Sequence, residues 1–256
     1  MSRKVLEPVQ VIPSLSMRSS FCGLRRWALV LAVLLAASAA AAAEPAFARW
    51  TTLARWEMNE GPTAVTMRDS TAADRDGSIG DVVVTGVPIG AGDNRAYEWP
   101  PGDLSIEDPE RLVTVPGNGL NPFRNLFSVT VRFKTNESNH NIIQKGQAAS
   151  PGLWKVELNN GRVFCFFKGT DGRGSIGSAA RVDDNQWHTV KCVRRPNRVS
   201  VTVGGATRSI DRTTGRIANP QQVAIGGKLF CNPANNVSCQ YYVGQIDRAV
   251  IKKRRR

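Results

Sequence analysis

From Arg49 onward the chain contains no long apolar pattern of period 3.6. Short alternating segments take its place, each closed by Gly, Pro, Asn or Asp, and that pattern belongs to strands with one buried face. It predicts an all-β fold, a sandwich or a barrel. In "FSVTVRFK", Val129, Val131 and Phe133 share one face and Ser128, Thr130, Arg132 and Lys134 the other, as strand periodicity requires. "GLWKVEL" puts Trp154, Val156 and Leu158 on one face, and "NNG" (Asn159 to Gly161) then predicts a hairpin turn. The returning strand "RVFCFFKG" is apolar on both faces, so a central position is expected for it. "VSVTV" followed by Gly204 and Gly205 reads as another hairpin arm, and "QVAIGGK" and "YYVGQIDRAVI" supply the last strands. One folded domain is expected, spanning residues 49–251.

Residues 1–48 read differently. Arg18, Arg25 and Arg26 precede an apolar, Ala-rich run from Trp27 to Ala43, and "AFA" at Ala46 to Ala48 fits a small-residue cleavage site. This is the layout of a secretory signal peptide, with Met17 as an alternative start; the rival reading is an N-terminal membrane anchor, against which stand the weakly hydrophobic Ala content and the lack of a stop-transfer pattern. Export and cleavage would leave no membrane segment, and the Arg25-Arg26 pair is a weak twin-arginine signal. Cysteine usage agrees, because four cysteines remain beyond the leader: Cys165, Cys192, Cys231 and Cys239. An even number in an oxidising space favours disulfides. Of the three possible pairings, Cys165 with Cys192 and Cys231 with Cys239 is favoured, with Cys192 on a strand that can run beside Cys165. A zinc site has no CxxC pair to support it.

The formal charge is +13. The leader holds more basic than acidic residues, and the chain beyond it carries +10, half of it in the closing "KKRRR" from Lys252 to Arg256. Standing after the last apolar residue, Ile251, this block reads as a solvated basic tail over residues 252–256. A nucleic-acid reader would interleave such residues with aromatics on a folded face, so no specific nucleic-acid partner is expected.

"DDNQWHTVKC" holds His188, one of two histidines. His188, Val190 and Cys192 share one parity and "DDNQ" is a polar turn, so His188 reads as the start of a strand. His140 lies in the polar stretch "NESNHN", and "GTDGRGSIG" (Gly169 to Gly177) reads as a flexible loop. Neither histidine has a Gly-x-Ser-x-Gly or a free cysteine nearby, which leaves nucleophilic catalysis without its parts.

"FSVTVRFKT", "NIIQKG", "GLWKVELNNGRVFCFF", "DDNQWHTVKC", "VSVTVGG", "VAIGGK" and "YYVGQID" occur in this order. As an ordered set they resemble bacterial laminin G-like domains of the concanavalin A-like lectin/glucanase superfamily, over about Arg49 to Ile251. The resemblance implies a two-sheet jelly roll in a secreted binding module for glycans or extracellular proteins, with a structural Ca2+ in some members. It matches Asp69 to the family's opening turn and Asp247 to its closing motif. Other acids in turns are Asp74, Asp76, Asp183 and Asp184, the oxygen donors that calcium takes from loops. Superfamily glycosidases pair their acids within one strand in a Glu-x-Asp-x-x-Glu run. "SIEDPER" offers Glu107, Asp108 and Glu110 with Pro109 between them, and neither the spacing nor the proline suits a central strand.

A non-catalytic module is therefore expected, its partner an extracellular polysaccharide or glycan, or alternatively a cell-surface protein. Sugar faces stack on rings while their hydroxyls need polar neighbours. The residues singled out for this are Tyr241 and Tyr242, one of which must point outward if they lie on a strand, then Trp154, and Arg173 in the glycine-rich stretch.

Overall fold

Two layers of antiparallel strands account for nearly all the ordered backbone. The computed structural model describes residues 49–102, 109–231 and 238–254, so the expected signal region (1–48), Glu107, Asp108 and the last two arginines lie outside the described residues. In chain order the strands are β1 (Thr51–Trp56), β2 (Thr66–Met67), β3 (Gly77–Ile79), β4 (Val84–Pro88), β5 (Arg95–Trp99), β6 (Val113–Val115), β7 (Leu126–Lys134) and β8 (Asn141–Lys145). They continue with β9 (Leu153–Asn159), β10 (Arg162–Gly169), β11 (Gly172–Gly177), β12 (His188–Arg195), β13 (Arg198–Val203), β14 (Ala206–Asp211), β15 (Val223–Ile225) and β16 (Gly244–Arg254). The one helical turn among the described residues is a 3-10 segment, Pro109–Arg111.

The first sheet has the order β14-β13-β12-β7-β16-β5-β4. β16 is long enough to pair β5 along its first residues and β1 along its last. The second sheet runs β11-β10-β9-β8-β15-β6-β3-β2. Alternation decides what lies between them. Val129, Val131 and Phe133 of β7 and Trp154, Val156 and Leu158 of β9 all enter one buried cluster, as predicted from their spacing. The buried tryptophans keep their N–H groups satisfied: Trp56 donates to Arg75 O (2.8 Å), Trp99 to Arg111 O (2.9 Å) and Trp154 to Leu120 O (3.2 Å). The hairpin turns fall where the sequence puts them, with positive φ at Asn160 and Gly161 and again at Gly204 and Gly205, the backbone that tight β-turns demand.

Four expectations need correction. β10 is not central: it lies next to the edge strand β11, and Phe164 and Phe166 stay half-exposed. The glycine-rich stretch is no loose loop, since Gly172–Gly177 is β11 and pairs residue by residue with β10. The disulfides are Cys165–Cys192 and Cys231–Cys239, but Cys165 belongs to the second sheet and Cys192 to the first. That bridge therefore staples the layers through the core and does not join neighbouring strands. Finally, the basic block is not a tail. Lys252, Lys253 and Arg254 are the last residues of β16, paired with Ser128, Phe127 and Leu126 of β7. Charge does not forbid a strand, because the side chains on its outer face can stand in water.

Candidate functional site

Trp154, Tyr241 and Tyr242 are 0%, 1% and 0% exposed, so none offers a ring to a ligand. Tyr241 and Tyr242 do not lie on a strand, and the parity argument fails because Gln240 turns the chain with φ +48. Tyr242 joins the main core and Tyr241 a small cluster with Leu112 and the Cys231–Cys239 bridge. Arg173 is exposed on β11, opposite Lys168.

The two aspartates expected to hold Ca2+ are committed elsewhere. Asp69 accepts backbone N–H bonds from Arg55 (2.9 Å), Thr71 (3.0 Å) and Arg75 (3.0 Å) and the Thr71 hydroxyl (2.8 Å). Its oxygens fasten the opening turn to β1. Asp247 is the extra residue of a bulge in β16 and pairs with Arg132 at 2.7 Å. Among the described residues no three His, Cys, Asp or Glu side chains gather as a metal would need.

His188 opens β12, as the sequence reading has it. Its Nε2 lies 2.8 Å from Asp184 Oδ1, and that contact holds the Asp184 carboxyl below its ordinary range. His140 is not in a solvated loop. It is buried and sits edge-on to Tyr242, and burial pushes its pKa down.

With the basic block folded into β16, the outer face of the first sheet changes character. Strand register aligns its residues in transverse rows about 4.8 Å apart from strand to strand. One row reads Thr52, Lys252, Ser128, Val193, Ser200 and Ser209. The next reads Arg55, Val250, Thr130, Lys191, Thr202 and Thr207. A third brings Arg248, Arg132 and Thr189 together, and a fourth Glu98, Gln245 and Lys134.

Some of these cations are neutralised, Arg132 by Asp247 and Arg55 by Glu57. Lys134, Lys191, Arg195, Arg248 and Lys252 have no carboxylate within ion-pair distance among the described residues. Between them stand hydroxyls, with Thr202 and Thr207 joined oxygen to oxygen at 2.8 Å. The Arg132 guanidinium also lies 4.4 Å over the Trp187 ring, a cation–π contact at the edge of the face. Such a surface attracts a partner with repeated negative charge. The sequence carried part of the signal in "RAVIKKR", where Ala249 and Ile251 keep the inward parity of a strand while Arg248, Lys252 and Arg254 take the outward one.

Residues 133–254 match the family model of the laminin G domain. Mouse laminin alpha1 chain domains LG4-5 are similar at 18% identity, over 51% of this chain and 37% of that one, with a TM-score of 0.42. The binding domain of Botulinum neurotoxin serotype D is similar at 12% identity over 80% of this chain and 46% of that one, with a TM-score of 0.50. A Ruminococcus gnavus IT-sialidase CBM40, solved bound to alpha2,3 sialyllactose, is similar at 15% identity over 51% of this chain and 76% of that one, with a TM-score of 0.41. At 12% identity the likeness to the neurotoxin binding domain is one of fold alone, and this chain spans about a third of the laminin fragment.

Proposed function

We propose, from the premise that the chain carries a laminin G-like domain built as a two-sheet sandwich, that the protein is a secreted, non-catalytic module binding an acidic polysaccharide. The observation that carries this reading is the set of five uncompensated cations, with hydroxyls between them, on the outer face of the first sheet. Carboxylates or sulfates recurring along a sugar chain would each meet a Lys or Arg, while neutral hydroxyls would bond to Thr and Ser. Two further features support a life outside the cell: two disulfides, and a leader with the layout of a signal peptide. The folded domain in this reading begins near Arg49 and ends at the last residues of β16, not at Ile251. Among the described residues no helix is long and apolar enough to cross a membrane.

The test is chromatography on immobilised polygalacturonate and heparin. The protein elutes at elevated salt, and Lys191→Glu with Lys252→Glu brings elution down by the equivalent of at least tenfold in affinity. Both side chains are exposed, so the fold survives the change. Elution that the double reversal leaves unmoved contradicts the reading.

A further inference from the structure

The second sheet has an outer face of another kind. One row across it reads Ser78, Thr114, Ala224, Gln144, Lys155 and Phe166. Its charges are answered locally, because Lys155 pairs with Glu157 two residues along the same strand. Over this face folds the segment from Gly226 to Cys231. Gly226 and Gly227 let the chain leave β15 there, since a Cβ at Gly226 would strike Trp99 and one at Gly227 would strike Tyr241 and Leu112. The segment is anchored by Leu229 packed on Leu112, Tyr241 and the Cys231–Cys239 bridge, and by the Gln147 amide donating to Leu229 O.

At the end of this segment stands Phe230, 70% exposed and held at φ +55. A bulky residue in the left-handed region is uncommon, and such strain persists only where its surroundings over-determine it. Beside it, sharing Gln222 and Leu229 with the crevice that Phe230 lines, lies a cleft of about 390 Å3. Ser78 and Thr114 supply hydroxyls to this cleft, Gln222 an exposed amide, and Asp81 and Glu110 carboxylates. The volume lies in the range of small-molecule sites, roughly 300–1,000 Å3.

We propose that this cleft and the adjoining crevice lined by Phe230 together form a second binding site, one that takes an uncharged sugar unit of a polysaccharide. The ring offers a stacking surface to the C–H face of a pyranose. The amide and hydroxyls both donate and accept, as sugar hydroxyls require. The Asp81 carboxylate accepts only, and it repels the anionic sugars that the first sheet attracts. The site goes beyond the acidic-polysaccharide reading and stands without it. Because the two sites occupy opposite faces of the sandwich, one molecule can hold two polymer strands of different charge.

The test is retention of the disulfide-intact protein on insoluble cellulose, chitin, mannan and β-glucan in 0.5 M sodium chloride (roughly the ionic strength that shortens screening below strand-to-strand spacing). Retention is expected on at least one of the four, weakened at least tenfold by Phe230→Ala and about threefold by Gln222→Ala, and unchanged by Lys191→Glu with Lys252→Glu. Phe230 is exposed, so a folded Phe230→Ala variant is expected, with circular dichroism as the control. Absence of retention on all four polymers, or retention indifferent to Phe230→Ala, overturns the proposal. A failure of the polygalacturonate experiment leaves this outcome untouched, so the two readings fall separately.

Discussion

The two outer faces of the sandwich obey the same alternation rule and end with opposite chemistry. On the first sheet the cations of β7, β12 and β16 stand beside hydroxyls, and five have no acid within reach. On the second, Lys155 finds Glu157 on its own strand, and a disulfide-clamped segment folds across the surface and presents Phe230. Alternation fixes only which side chains face outward. What they can bind depends on whether their charges are cancelled by near neighbours and on what the loops lay over them.

Removing a disulfide separates the roles of the two bridges. Cys165–Cys192 spans 27 residues and joins the layers. Its replacement by two alanines is expected to cost about 3.5 kcal/mol in the chain-entropy model and to lower the melting temperature by roughly 10 °C, weakening both faces together. Cys231–Cys239 spans 8 residues, and its loss is expected to cost about 2.5 kcal/mol. That second change frees Phe230, so retention on neutral polymer disappears while polygalacturonate binding persists. Calorimetry with the two retention assays checks both, and loss of both activities in the Cys231→Ala, Cys239→Ala variant would break the comparison.

A third expectation concerns a cation that belongs to neither face. Lys145 is buried, its amine donating to Asn219 O (2.8 Å), Asn219 Oδ1 (3.0 Å) and Gln221 O (2.7 Å). Burial pushes its pKa down to about 8. Between that value and the ordinary lysine value the unfolded chain holds the proton and the folded chain does not, so stability rises with pH. From pH 7.5 to 9.5 the rise is about 2 kcal/mol, read by urea denaturation. Lys228, also pushed down by burial and then by Lys155, adds in the same direction. Lys145→Met therefore flattens the dependence without abolishing it. A profile as steep in Lys145→Met as in the native protein would assign the effect to other groups.

The smallest effect sharpens the contrast. Glu157→Gln removes the acid that answers Lys155 and makes the second face more basic. Elution from polygalacturonate is expected to move to slightly higher salt, by roughly twofold or less in affinity, since this half-buried pair lies on the sheet opposite the acidic-polymer face, where added charge is largely screened. A larger shift would mean that the second face already contacts the acidic polymer.

Much of the fold is legible in the sequence because it is local. Val129, Val131 and Phe133 declare a buried face by spacing, and the Asn160-Gly161 and Gly204-Gly205 turns declare hairpins by their tolerance of positive φ. Which sheet a strand joins is not local. Cys165 and Cys192 were legible as partners, yet their placement across the layers follows from crossovers that no strand encodes by itself. The same holds for Lys252 to Arg254, whose strand depends on β1 and β7, hundreds of positions apart in the pairing with Thr51 and adjacent only in space. The ring was sought at Tyr241 and Tyr242 on the assumption of a strand. A turn at Gln240 removes that assumption, and the most exposed ring among the described residues is Phe230, an aromatic outside any alternating segment and next to a cysteine. That neighbourhood was its only sequence signal.

Lysine acetylation footprinting, with and without saturating polygalacturonate, tests the central claim most directly because it reports which face the polymer covers. The account predicts protection of Lys134, Lys191 and Lys252 on the first sheet, while Lys168 and Lys228 on the second react as in the free protein. Protection of Lys168 and Lys228, with Lys191 and Lys252 still reactive, would contradict it.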